Sequence, residues 1–229
     1  MNYKDFLKRK RRVLFSMNQP DDYKIQPFFS IWLHPKKTAS YVIEHKNWTY
    51  VILYVILGGM ASTMIGLSGQ ELYPSFSIWL LLLGCILAGP FIGAVSVIIS
   101  SGVIWLVGKL FKGKGSFEDI FKVISLSSIP NITLAPFMLV WMANAPQSFF
   151  NMNDEALTNG AAIISIVLSL AVFIVTIWTF VIQVGSVATA HRFSNWRSFF
   201  TLVLPGIVIG LILIGIVLLL VITFGFIVY

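Results

Sequence analysis

Three histidines, one cysteine and nine acidic residues are the whole stock from which this 229-residue chain can build acid–base, nucleophilic or metal chemistry. Their spacing builds none of it. His34, His45 and His191 stand far apart, and no histidine, cysteine and carboxylate cluster has metal-ligand spacing. Cys85 is alone, which excludes an internal disulfide and a cysteine metal cluster; its apolar neighbours make it a buried, inert thiol. No serine has a histidine and an acid placed to activate it within a membrane. Lys112-Gly113-Lys114-Gly115-Ser116 is not a phosphate loop, because it lacks the G-x-x-x-x-G-K-[ST] spacing and no strand precedes it. It reads as a flexible turn, with Ser116 and Asp119 at capping-box spacing to open a helix. The sequence implies no catalytic residue, no metal and no cofactor, and points away from an enzyme.

The elements that carry these residues are set by composition. Apolar residues make up 57% of the chain and charged residues 11%, with mean hydropathy +0.87. A soluble domain has about 25% charged residues, so this chain lacks the polar surface to cover a core in water. Disordered, collagen-like and disulfide-stapled classes are excluded on the same numbers. A polytopic, all-α membrane protein remains. Five apolar runs are long enough to cross a bilayer: 49–68, 75–108, about 120–144, 160–190 and 198–229. The second is too long for one upright crossing, at about 51 Å for a helical rise of 1.5 Å per residue. Gly89-Pro90 near its middle predicts a kink, as Pro130 does in the third span.

Charge decides the orientation. Basic residues prefer the cytoplasmic side of a span. With five spans and a cytoplasmic N-terminus, the inner segments hold ten, four and two of the sixteen basic residues, and the outer loops hold none. Glu71, Asp154 and Glu155 fall outside. Splitting the second run into two spans would move the Lys109–Lys122 group outward and break this pattern. No span carries an Asp, Glu, Arg or His in its interior, so a proton relay has no residues to run on.

The first 48 residues divide into a basic cytoplasmic tail over 1–26 and an interfacial amphipathic segment over 27–48, followed by the five-span domain over 49–229. Val13–Asp22 is too short and polar for a signal-peptide core, so the tail is expected to be retained. Tyr3, Phe6, Leu7, Leu14 and Met17 recur at roughly helical spacing, with Lys8, Arg9, Lys10, Arg11 and Arg12 between them. They fit a helix on an anionic leaflet, or a solvated tail that only sets orientation. Without a stacking platform they do not fit nucleic-acid binding. Pro27–Leu33 is expected in the interface, with Pro35 opening a helix and Trp32, Lys36 and Lys37 placed to meet lipid headgroups. Inside the spans, Gly89 and Gly93, Gly206 and Gly210, and Gly58-Gly59 with Ser62-Thr63 are small-residue pairs that let helices approach closely. Gly89, Pro90, Gly93, Pro130 and Asn131 are the candidate surface, either for packing within the bundle or for a partner or second copy. Asn131 and Gln183 are the polar side chains placed to hydrogen-bond between helices.

Taken in order, Trp32-x-x-Pro35-x-x-Thr38, Ala88-Gly89-Pro90, Lys112-Gly113-Lys114-Gly115-Ser116-Phe117 and Ser127-Ser128-Ile129-Pro130 make the chain resemble the Yip-domain family of Ypt/Rab-interacting membrane proteins, over about residues 27–225. The family often has a double glycine where Lys114 intervenes here. The resemblance implies a five-helix bundle with a cytoplasmic N-terminus and no established catalysis. The compact length and Lys-rich loop resemble bacterial members, which implies the bacterial plasma membrane. The function expected is a non-catalytic accessory or scaffold subunit. Its partners would be other integral membrane proteins, such as an ABC-type exporter or an envelope-stress or toxin-resistance system. The alternative is a small pore or transporter for a lipid or peptide.

Overall fold

The computed structural model describes residues 25–150 and 159–225. The basic stretch Lys8–Arg12 lies outside the described residues. Among those described there is no strand, and five helical segments are long and apolar enough to cross a membrane.

The chain enters through two short helices, α1 (Pro27–Ser30) and α2 (Pro35–His45). Pro35 takes the first helical position, where its missing N–H costs nothing. The Thr38 hydroxyl lies 2.9 Å from the His34 carbonyl and 3.0 Å from Ser30 Oγ, which ties α2 back to α1. Thr38, Ala39 and Val42 are buried, so α2 is docked into the bundle by one face. Helix α3 (Trp48–Leu67) starts on Asn47, whose side chain accepts from the Tyr50 N–H. Helix α4 (Ile78–Leu110) starts the same way on Ser77 and runs through Pro90 without a break. Its 33 residues make one crossing, as the charge pattern requires.

The third span departs further from a single helix. It is α5 (Phe117–Leu126) and α6 (Ile129–Asn144), broken at Ser127-Ser128. Pro130 has no N–H to give the Leu126 carbonyl, so the ladder ends and a new helix starts with proline in its first turn. The Ser127 N–H tightens onto the Val123 and Ile124 carbonyls, and its hydroxyl donates to Val123 at 2.8 Å. Helix α5 opens with the expected reciprocal box: the Asp119 N–H donates to Ser116 Oγ at 3.1 Å, and the Ser116 N–H to Asp119 Oδ2 at 2.9 Å.

Residues 145 onward look like a plain loop in sequence, yet Pro146–Phe150 forms α7. Phe149 and Phe150 are completely buried, and their carbonyls accept from the Gly69 and Glu71 N–H groups at 2.9 and 3.0 Å. These contacts join the 68–77 connection to the 145–150 segment at one end of the bundle. At the other end, the Lys114 N–H donates to the His191 carbonyl at 3.0 Å. That bond joins the basic inner loop to the end of α8 (Asn159–His191) and the start of α9 (Asn195–Gly225). The basic segments and the acidic loop Gly69–Pro74 therefore sort to opposite ends. Beyond Leu204, α9 has left the bundle: Leu211 to Ile222 are exposed along its whole circumference, as a helix in lipid can be.

A polar cavity at the break in the third span

The most extensive helix pairing is α3 on α4, and it is made by glycines. A Cβ on Gly59 would strike the Gly89 carbonyl oxygen and come within 2.9 Å of Gly93 Cα. One on Gly89 would lie 2.9 Å from Met60 Cα, and one on Gly93 would strike Gly59 Cα. The Gly89/Gly93 face is therefore filled by α3 of the same chain. Gly89 and Gly93 thus pack closely on α3, and Gly93 also borders a cavity. Pro90 is half-buried beside them, and Pro130 is buried beneath the break.

Beside this contact lies a cavity of about 500 Å3. Gly58, Ser62 and Thr63 of α3 form one wall, and Gly93, Ser96 and Ser100 of α4 the second. Ser127, Ser128 and Asn131 supply the third, from the break between α5 and α6, and Thr179 and Gln183 the fourth, from α8. Ser128 leans so closely over Gly58 that a Cβ there would lie 2.6 Å from the serine Cβ, which is why glycine stands at 58.

The lining sets hydroxyls and amides among apolar surface and carries no ionisable side chain. Several hydroxyls are spent on their own helix: Thr63 donates to the Gly59 carbonyl at 2.8 Å and Ser100 to Ser96 at 2.7 Å. Others are not. Thr179 Oγ1 is buried with no hydrogen-bond partner among the described residues. The half-buried Asn131 and Gln183 amides make no hydrogen bond to another described residue. An unpaired amide away from water costs several kcal/mol. Irregular backbone at membrane depth is tolerated only inside protein or against a polar cavity. This arrangement can therefore hydrogen-bond a neutral polar group, and its chemistry is recognition.

Buried apolar clusters flank the cavity along the span axis. Toward the outer end sit Leu134, Met138 and Trp141 with Met64 and Cys85. Toward the inner end sit Tyr54, Leu126, Ile129 and Ile182. Ser62, Gly66, Ile92 and Ser96 are exposed, so the cavity opens on the flank of the bundle.

Of the residues singled out in sequence, Gly93, Asn131 and Gln183 meet here, with the Gly58-Gly59 and Ser62-Thr63 pairs and Ser127-Ser128. Trp32 is half-buried against the cluster around Ile31 and Val42, away from the cavity, and Lys36 and Lys37 are exposed at the inner end. Sequence reading missed Ser96 with Ser100, and Thr179 as the neighbour of Gln183. Each pair is spaced four residues apart on one helix face, and that recurrence was the signal.

The glycines of the inner loop also have a cause. His191 is fully buried; a Cβ on Gly108 would strike its Nε2, and one on Gly113 its Nδ1. Phe193 stacks on the ring at 5.1 Å and 20°. Gly108 in the last turn of α4 and Gly113 in the loop thus form a socket for the His191 ring.

No curated protein and no solved structure matches the chain. The sequence model of the Yip1 domain matches residues 29–226, which takes in every helix described above except the first two residues of α1. On that match the chain belongs to the Yip1-domain family.

Proposed function

We propose that this non-catalytic integral membrane protein is an accessory subunit that receives a polar group of another membrane protein in its flank cavity. The observation that supports it best is the direction of the opening. Apolar clusters lie at both ends of the cavity, and the exposed residues of its lining sit on the side. A partner helix carrying Ser, Thr, Asn or Gln could supply the missing partners of Asn131, Thr179 and Gln183. Such interhelical bonds contribute about 0.6–2 kcal/mol each. The partner class proposed is an exporter of the ABC type or an envelope-stress or toxin-resistance system in a bacterial plasma membrane, with the Lys114 end cytoplasmic. The supports for this are the sorting of basic residues to one end and the likeness to bacterial family members.

The test is purification in mild detergent of the wild type and of Asn131→Leu/Gln183→Leu. The double variant is expected to keep its yield and elution volume while a stoichiometric partner falls by about tenfold or more, as two such bonds imply. A pore or transporter would behave differently. The isolated protein would carry lipid or peptide across proteoliposomes, and no partner would depend on residues 131 and 183.

A further inference from the structure

A second cavity, of about 600 Å3, lies at the inner end, where the start of α2 meets the last turns of α8 and the start of α9. One side of it is apolar: Phe180, Val181, Val184 and Phe199. Phe180 and Phe199 meet edge to face at 5.8 Å, and the Ser198 hydroxyl donates to the Val184 carbonyl at 2.7 Å, so this wall is already built. Gly185 lets the mouth form: a Cβ there would lie 3.3 Å from Pro35 Cγ. The opposite side is cationic. Lys36 and Lys37 stand on its rim, both exposed, and neither has an acidic partner among the described residues.

Their position is electrostatically costly. Both lysines sit in the first turn of α2, which has no acidic residue, at the end of a helix where the backbone dipole repels cations. A local rule broken this way is expected where something else compensates. A slot with one greasy wall and two unpaired cations at the level of the headgroups has the polarity of an amphiphile with a negative head.

We propose that this slot seats one anionic phospholipid of the inner leaflet, with its phosphate at Lys36 and Lys37 and an acyl chain along Phe180, Val184 and Phe199. The site is separate from the flank cavity, and neither proposal needs the other.

Native mass spectrometry of the full chain, released from nanodiscs containing phosphatidylglycerol and phosphatidylcholine, tests it. The wild type is expected to retain one phosphatidylglycerol in preference to phosphatidylcholine. Lys36→Gln/Lys37→Gln is expected to lower that retention by about 30-fold, on the usual worth of a lysine at an anionic surface. Val184→Trp fills the apolar side, leaves both lysines, and is expected to lose the lipid as well. Neutralising Lys8–Arg12 is expected to leave the single retained lipid in place. Retention unchanged in Lys36→Gln/Lys37→Gln, which alters only exposed side chains, would overturn the proposal. So would equal retention of phosphatidylcholine, displacement of the lipid by glycerol phosphate (a headgroup site without a chain), or loss on neutralising the tail alone.

Discussion

Gly59→Leu is expected to abolish the folded bundle, while Gly206→Leu and Gly210→Leu leave it intact. All three glycines occupy small-residue pairs of the same kind in sequence. Around Gly59 the neighbours within reach of a new Cβ are the backbone of Gly89 and Gly93, and backbone cannot change rotamer to make room. The helices would have to separate along their most extensive contact, at a cost of ~3 kcal/mol or more. A Cβ on Gly206 or Gly210 meets nothing within 4 Å, so a leucine there extends into lipid. Thermal stability in detergent, read as the fraction monodisperse after heating, separates the cases. A Gly59→Leu protein as heat-resistant as the wild type would contradict the α3–α4 packing described here.

The second large effect is a rescue. In a free helix, Gly108→Ala would stabilise by about 1 kcal/mol; here it is expected to destabilise by ~1–3 kcal/mol, because the new methyl group enters the space of the His191 ring. His191→Ala alone is expected to cost about 2 kcal/mol or more, since it empties a fully buried site between Phe193 and the glycine loop. Combined, the two changes relieve one another: with the ring gone, the Gly108→Ala methyl has room. The double variant is expected to be more stable than the sum of the single costs by ~1–2 kcal/mol. Melting curves of the four proteins measure the coupling. Additive costs would mean that the ring and the loop do not share this contact.

The two cases show where sequence stops. Hydropathy and charge are written locally, so the five crossings could be read from apolar runs, and the choice of one long second span over two short ones followed from Lys109–Lys122 alone. Caps are equally local: Ser116 with Asp119 was visible and forms the reciprocal box. Which glycine pair finds a partner is not local. Gly89 and Gly93 are filled by α3, whereas Gly206 and Gly210 meet nothing, although the spacing is identical. The cavity was legible only in fragments, because its walls come from four spans. Asn131 and Gln183 stood out singly, and no one-dimensional pattern places Thr179 opposite Ser62 and Ser96. His191 looked like an ordinary helix end, and the glycines of the inner loop looked like slack. Their shared cause is a contact between residues about eighty positions apart. Phe149 and Phe150 were hidden for a different reason: a turn-like composition surrounds them, and contacts distant in sequence, the Gly69 and Glu71 hydrogen bonds among them, fold that turn back onto the core.

The central claim is that another membrane protein enters the flank cavity between α3 and α4. Site-specific photocrosslinking in intact cells addresses it most directly, with a benzophenone side chain at Ser96 on the cavity mouth and, separately, at Leu213 on the lipid-facing part of α9. The account predicts one discrete protein adduct from position 96, absent from position 213, and lost when Asn131→Leu/Gln183→Leu is added. Adducts to lipid alone at position 96, or the same protein adduct from both positions, would contradict it.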